Sequence, residues 1–248
     1  MRYFIALSYN GKAYHGWQIQ PNAVTVQETI EDALSKLLNI KLGITGAGRT
    51  DTGVHASQMF AHFDVEFEVD TEQLAYKLNS FLPKDIAIHS IFKVNTDAHS
   101  RFSATRRSYD YKIALQKNVF MYDYAYYMHQ ELNVERMNKA ANVLLKYSDF
   151  QCFSKSNTDV KTYNCRIDYA QWRQDHNMLI FTISADRFLR NMVRAIVGTL
   201  VNIGLGKLEI EDMHRIIKSK DRSEAGFSVP AKGLYLTEVL YPESIKIK

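Results

Sequence analysis

One stretch of the 248-residue chain combines glycines with residues that could carry out chemistry. It spans residues 46–56 and reads Gly-Ala-Gly-Arg-Thr-Asp-Thr-Gly-Val-His-Ala. Glycine adopts backbone shapes that other residues avoid, and it lets a partner approach the main chain closely. A carboxylate, Asp51, and a guanidinium, Arg49, stand among these glycines. The stretch therefore indicates a loop that presents a base or nucleophile and a cation to a bound molecule.

Three known motifs fit this loop only in part. Residues 43–50 match a phosphate-binding P-loop except that Arg49 replaces lysine, and a P-loop opens into a helix. The dinucleotide fingerprint lacks its third glycine and requires a helix as well. Asp51-Thr-Gly53 copies the aspartic-protease triplet, but that chemistry needs two carboxylates that share a proton. A nucleotide-binding enzyme remains one alternative, and a tight turn in which Asp51 bonds the backbone is another.

The residues around this loop predict alternating strands and helices. Strands are expected over 2–9, near 40–45, over 59–67 and 86–94, near 109–115 and 163–173, and over 178–185 and 234–241. Helices are expected after Thr25, which begins a capping box, after Asp70, and over 134–145, 188–205 and 209–219. The strand expected after residue 56 argues against the two helix-opening motifs. We expect an α+β chain with two halves, 1–104 and 105–248, that are closely joined.

Composition and charge are those of an ordinary globular protein. The net charge is +4 and the isoelectric point is near 8.9, which on its own favours an anionic partner only weakly. The two cysteines have no metal-ligand spacing, so a reducing cytoplasm is the simpler expectation. The N-terminal apolar run is too short for a signal peptide, and the arginines within 188–205 argue against a membrane span.

Residues 46–56 match in full the signature Gly-x-Gly-Arg-Thr-Asp-x-Gly-Val-His-Ala. By this signature the chain resembles the A family of tRNA pseudouridine synthases. Shorter family motifs follow in order along nearly the whole chain: Tyr14-His-Gly-Trp17, Thr25-Val-Gln27, Phe81-Leu-Pro83, Arg101-Phe-Ser-Ala104, Tyr109-Asp-Tyr111, Asp149-Phe150, Asn191-Met-Val-Arg194 and Gly233-Leu-Tyr-Leu236. The chain departs from the common family pattern at Asn10, at Arg190 and at Ala98-His-Ser100, where Phe-His-Ala is usual.

The resemblance implies a fold, a reaction and a partner. The implied pseudouridine synthase fold is α+β, with two similar halves that share a central, mainly antiparallel sheet, helices packed on it and an RNA cleft. The implied reaction isomerises uridine to pseudouridine at positions 38, 39 and 40 of the tRNA anticodon stem-loop. The resemblance also implies a homodimer that uses no metal or cofactor, in addition to the cytoplasmic location and the lack of a membrane span expected from the sequence itself.

The resemblance further assigns roles to individual residues. Asp51 is the catalytic carboxylate, and Arg194 is the cation that keeps it ionised away from water. Helical spacing places Arg187, Arg190 and Arg194 along one edge of an apolar stripe, and a solvated basic ridge is the alternative. Tyr109 packs on the target uracil, or else points into the core as a strand residue.

The remaining basic and aromatic residues could bind RNA or could have simpler structural roles. By the resemblance, Arg49 helps to hold the target base out of its stack, unless it pairs with a loop carboxylate. Arg101, Arg106 and Arg107 form a basic cluster that would contact phosphates. His55 has no catalytic assignment, and a loop-anchoring hydrogen bond is favoured. For the aromatic run 120–127, base stacking, core packing and a dimer contact stay open.

A non-catalytic RNA-binding module is the other alternative for the function of the whole chain.

Overall fold

The chain divides into two units in this structure, a computed structural model that describes residues 1–155 and 160–247. The first unit comprises Met1–Arg106 together with the C-terminal segment from Tyr235 onward, and the second comprises Arg107–Leu234. Each unit contains helices and strands, which confirms the predicted α+β class.

The described residues form nine strands and five α-helices. The strands are β1 (Arg2–Tyr9), β2 (Thr45–Gly46), β3 (His55–Asp64), β4 (Ile86–Val94), β5 (Arg106–Ala114), β6 (Tyr126–Tyr127), β7 (Ile167–Asp175), β8 (Met178–Ala185) and β9 (Leu234–Leu240). The helices are α1 (Val26–Leu38), α2 (Thr71–Phe81), α3 (Val134–Leu144), α4 (Met192–Gly204) and α5 (Ile210–Ser219). The strand expected near 40–45 is thus reduced to Thr45–Gly46.

The sheet of the first unit is mainly antiparallel. Strand β1 lies between β4 and β3, and β2 pairs with the other side of β3. Strand β9 pairs with β3 in parallel, with His55 opposite Tyr235 and Ala56 opposite Leu236. This pairing places the residues after Tyr235 in the first unit, whereas the expected division at 104/105 placed them in the second half. Local sequence could not show this, because parallel strands are joined by long connections.

The two helices of the first unit begin at the expected capping residues. The Thr25 hydroxyl accepts the Glu28 N–H at 3.3 Å, and the Asp70 carboxylate accepts the Gln73 N–H at 3.0 Å. Such caps satisfy amide groups that lack a partner in the first helical turn. The helices bury one apolar face, which comprises Val26, Ile30, Ala33, Leu34, Leu74 and Leu78. Burial of a large aliphatic side chain stabilises by roughly 1.5–3 kcal/mol.

The second unit has an antiparallel sheet in which β8 lies between β5 and β7. The short β6 pairs with β5 in parallel. Helix α4 is buried along nearly its whole length, because its apolar residues face in all directions. Cys152 and Cys165 are both reduced and buried, and burial raises the pKa of each thiol to about 12. Both therefore act as apolar core residues.

The start of α4 differs from the sequence prediction. The helix begins at Met192 rather than at Phe188, because Asn191 has a left-handed backbone with φ of 67°. A right-handed helix cannot continue through that conformation. Arg187 and Arg190 therefore precede the helix, and the predicted alignment of these two residues with Arg194 on one helical face is wrong.

Two features are absent from the part of the chain that the structure describes. No helix within it is both long enough and apolar enough to span a membrane. No group of three or more His, Cys, Asp or Glu side chains within residues 1–155 and 160–247 is placed to hold a metal ion.

Buried His62 on β3 makes the stability of the fold depend on pH. Its side chain is 6% exposed. Desolvation, and then the positive charges of Arg2 and His99, lower the pKa of His62 from 6.5 to about 4, against the opposing effect of Asp64. Between these two pKa values the unfolded chain binds a proton that the folded chain does not. The free energy of unfolding therefore falls as the pH drops through this window.

We expect wild-type stability to fall by about 2–3 kcal/mol from this histidine alone between pH 7 and pH 4, since each pKa unit corresponds to about 1.4 kcal/mol. Urea unfolding at several pH values measures the loss. The neutral variant His62→Gln should show a shallower pH dependence over the same range. Parallel pH profiles of the two proteins would contradict the prediction.

Candidate active site

The glycine-rich loop around Asp51 connects β2 to β3. Asp51 is half-buried, and its carbonyl accepts the Val54 N–H at 3.1 Å, which closes a turn. Strand β3 follows directly at His55. The chain thus continues into a strand, as predicted, and not into the helix that a P-loop or a dinucleotide fingerprint requires.

The segment after β1 holds this loop in place. The Tyr9 hydroxyl lies 2.8 Å from the Thr50 hydroxyl. The backbone N–H of Trp17 donates to the Thr50 carbonyl at 3.2 Å, and the backbone N–H of Gly53 donates to the Tyr14 carbonyl at 3.3 Å. At Gly16, where φ is +91°, a Cβ atom would lie 2.4 Å from the Thr50 carbonyl oxygen. Only glycine combines this φ with so close an approach. The Tyr14–Trp17 motif therefore supports the Asp51 loop.

His55 anchors the end of the loop. It is 2% exposed, and its Nδ1 accepts the Gly11 N–H at 3.1 Å. Its ring stacks on Tyr235 with a centroid distance of 4.6 Å. These contacts agree with the loop-anchoring role that the sequence favoured over catalysis.

Arg49 projects from the loop into solvent. Its side chain is exposed, and among residues 1–155 and 160–247 it has no hydrogen bond or ion pair. Within the described part of the chain, Arg49 therefore does not pair with a loop carboxylate, which was the alternative interpretation. A planar cation in this position can stack on a base or donate to a phosphate.

Arg101 and Arg106 also lie in the first unit, in different environments. Arg101 is exposed, and its guanidinium carbon lies 5.5 Å from the ring centre of Phe102, which is 75% exposed. Arg106 forms an ion pair with Glu238 at 3.0 Å. Arg101 therefore presents a cation and an aromatic ring side by side, while Glu238 offsets part of the charge of Arg106.

The second unit carries the other predicted site residues on β5 and near it. Tyr109 is half-buried, and its ring meets Phe188 edge to face at a centroid distance of 5.1 Å. Tyr111 on the same face of β5 is fully buried. Tyr109 thus differs from the core residue Tyr111 in being only half-buried. The Arg107 guanidinium donates to the Asp186 carbonyl at 3.0 Å.

Arg194 lies in the first turn of α4 and is fixed by its own unit. Its Nε donates to the Val229 carbonyl at 2.7 Å, and the Val229 N–H donates to the Arg194 carbonyl at 3.3 Å. The side chain is half-buried. At Gly198 a Cβ atom would lie 1.8 Å from the Phe227 carbonyl oxygen, so the segment before Val229 packs against α4. Arg194 therefore differs from a freely solvated helix arginine, which was the alternative interpretation.

Sequence comparison decides the family. A family model described as tRNA pseudouridine synthase matches residues 5–103 and 140–242. The chain belongs to the tRNA pseudouridine synthase family. This confirms the family that residues 46–56 predicted, and it confirms that the chain is an enzyme of the isomerase class.

Several relatives in this family are similar over nearly their full length. The chain is 53% identical to the tRNA pseudouridine synthase A of Parabacteroides distasonis over 245 residues, which cover 98% of this chain and 97% of the relative. It is 50% identical to the protein of that name from Porphyromonas gingivalis over 248 residues, or 98% of each chain. It is 41% identical to the Thermoanaerobacter pseudethanolicus protein over 240 residues, or 96% of this chain and 98% of the relative.

The predicted site residues lie in both structural units. Some of them fall within the residues that the family model matches, and some fall outside. Arg49, Asp51 and Arg101 lie in the first matched range of the tRNA pseudouridine synthase model, and Arg194 lies in the second. The first unit also holds Arg106, and the second holds Arg107, Tyr109 and Arg194. Arg106, Arg107 and Tyr109 fall between the two matched ranges.

Sequence reasoning missed two residues that hold predicted site residues in place. Val229 fixes Arg194, and Glu238 pairs with Arg106. Neither lies near its partner in sequence, and no periodic pattern marks either of them. The sequence did single out Tyr14–Trp17 as a family motif. It did not indicate that this motif supports the Asp51 loop.

Proposed function

We propose that this chain isomerises uridine to pseudouridine at positions 38, 39 and 40 in the anticodon stem-loop of tRNAs, with Asp51 as the catalytic nucleophile. Membership of the family supports pseudouridine formation in tRNA. The observation that carries the proposal is the loop at 46–56. It holds Asp51 half-buried on a backbone braced by residues 9–17, beside the exposed Arg49.

The proposed reaction conserves every atom of the uridine. The bond between N1 of uracil and C1′ of ribose breaks, the base turns, and a bond between C5 and C1′ forms. The proton that leaves C5 is balanced by the one gained at N1. A carboxylate that attacks as a nucleophile provides an intermediate that divides this exchange into easier steps. Asp51 has that role in the proposal, and the reaction consumes no cofactor.

Arg194 is proposed to keep Asp51 ionised. A carboxylate moved out of water without a partner costs several kcal/mol and would take up a proton instead. Arg194 suits this role because its Nε is already bound to the Val229 carbonyl, so the cation is held in one orientation. A cation fixed before the reaction stabilises charge without reorganisation.

The other predicted residues are proposed to bind RNA. Tyr109 is only half-buried, and stacking of a base on an aromatic ring is worth about 1–3 kcal/mol. Arg49 is proposed to hold the target base outside its stack, a step that costs a few kcal/mol. Arg101, Arg106 and Arg107 are proposed to contact phosphates, which position tRNA without reading its sequence.

An unmodified tRNA transcript tests the proposal. After incubation with the protein, pseudouridine mapped base by base should occur at those of positions 38, 39 and 40 that are uridine. A transcript with cytidine at all three positions serves as the control and should stay unmodified. Pseudouridine at other positions would contradict the proposed target, while binding without any product would favour a non-catalytic RNA-binding module.

The chain is further proposed to act as a cytoplasmic homodimer. The loop between β5 and β6 exposes Val119, Phe120 and Tyr122 by 73%, 84% and 69%, so core packing is ruled out for these side chains. An apolar surface of this kind is typical of a contact between proteins. Light scattering after gel filtration should give a mass near twice 28.6 kDa. A mass near that of one chain would contradict this part of the proposal.

A further inference from the structure

A buried serine joins the segment that carries Arg101 to the strand that leads into the Asp51 loop. Ser100 is fully buried. Its hydroxyl donates to the Thr45 carbonyl at 2.6 Å and lies 2.9 Å from His62 Nδ1. Thr45 and His62 are cross-strand partners on β2 and β3. Ser100 therefore contacts both members of the strand pair at which the Asp51 loop begins.

The contact with His62 holds for either neutral form of the imidazole. If Nδ1 carries the proton, it donates to the Ser100 hydroxyl, whose own proton goes to Thr45. If Nδ1 is unprotonated, it accepts the Ser100 backbone N–H, which lies 3.2 Å away. Buried polar groups that satisfy one another in this way fix a single arrangement of the backbone. We call the group formed by Thr45, His62 and Ser100 the Ser100 bridge.

The residues on either side of Ser100 make the Arg101 segment rigid. His99 Nδ1 accepts the N–H of Arg101 at 3.1 Å and that of Phe102 at 3.4 Å. The His99 ring packs on Phe102 and on His62, with centroid distances of 4.4 and 4.7 Å. The Ser103 hydroxyl accepts the His99 N–H at 2.9 Å. The exposed side chains of Arg101 and Phe102 thus project from a turn that the buried Ser100 helps to anchor in the core.

We propose that the Ser100 bridge is a positioning device that holds the Arg101 segment and the Asp51 loop in a fixed relation, so that both meet one bound RNA. This inference rests on the proposed function, because it takes Arg101 and Asp51 to face the same substrate. Ser100 acts through its neighbours and touches no substrate.

Removal of the hydroxyl tests the bridge in the intact protein. In Ser100→Ala the amide hydrogens of Ala47, Arg101 and Phe102 should exchange faster. KM for tRNA should rise about 10-fold, the effect of one lost buried hydrogen bond, with a smaller change in kcat. Ser154→Ala is the matched control, because Ser154 is buried in the second unit and its hydroxyl also bonds a backbone carbonyl. The control should leave both exchange and KM unchanged.

Two further comparisons separate positioning from a general loss of stability. Arg101→Ala should weaken tRNA binding less in the Ser100→Ala background than in the wild type, because a displaced Arg101 has already lost part of its contact. His62→Asn keeps a polar atom near the place of Nδ1 and should retain most of the affinity, whereas His62→Gln should behave like Ser100→Ala.

The outcomes distinguish the bridge from the proposed function. Unchanged exchange and KM in Ser100→Ala, or strictly additive effects with Arg101→Ala, would overturn the bridge while wild-type turnover continued. A wild-type chain that neither bound nor modified tRNA would overturn the proposed function and the bridge together. Faster amide hydrogen exchange in both the Arg101 segment and the Asp51 loop, together with a non-additive loss of tRNA affinity, would support the Ser100 bridge.

Discussion

Asp51→Asn is expected to reduce pseudouridine formation by at least about 10³-fold while the protein stays folded and still binds tRNA. The amide has nearly the shape of the carboxylate but is neither a nucleophile nor a base, and loss of such a group typically costs 10²–10⁴-fold or more. The contacts that brace the loop involve Thr50, Gly53 and the Asp51 carbonyl, none of which the substitution removes.

Single-turnover assays with an excess of protein over tRNA measure this loss directly, and filter binding measures the affinity. Asp32→Asn is the matched control, because it makes the same chemical change at an exposed helix position whose partner is Lys36. The control should retain wild-type rates. Turnover by Asp51→Asn within about 10-fold of the wild type would remove Asp51 from the chemistry.

Helix starts were predictable where the signal is a local one. Thr25 and Asp70 each cap a helix through an N–H three residues further along the chain, so the sequence itself contains both partners. The start of α4 was not predictable in this way. Asn191 takes a left-handed backbone while its side chain donates to the Ser228 hydroxyl at 2.7 Å. The regular spacing of apolar residues over 188–205 does not indicate that distant contact.

The same distinction applies to the candidate site. Asp51 and Arg49 were identified from one continuous motif, because glycines and a carboxylate at fixed spacing already indicate a loop built to present side chains. Arg194 was reached only through the family resemblance, since nothing in its helix connects it to Asp51. The Ser100 bridge joins residues 38 and 55 positions apart. Contacts of this range depend on how β2 and β3 pair, which sequence patterns do not specify.

Arg194→Met is expected to reduce the rate of pseudouridine formation by about 10²–10³-fold, the range seen when one preorganised charged or polar donor is lost. Methionine retains most of the length and the apolar part of the side chain, so packing against the segment around Val229 should change little. The loss should appear in kcat more than in KM, because the proposed role is to stabilise charge during the reaction and not to bind tRNA.

Arg194→Lys separates charge from structure. The bond from Nε to the Val229 carbonyl is specific to the guanidinium, so both variants lose it. Lysine alone restores a positive charge, and it should recover at least about 10-fold of the lost rate if that charge acts on Asp51. Arg173→Met, at an exposed position of β7, is the control for removing an arginine from the same unit. Equal rates for the methionine and lysine variants, together with equal losses of thermal stability, would show that Arg194 serves only to hold the segment around Val229.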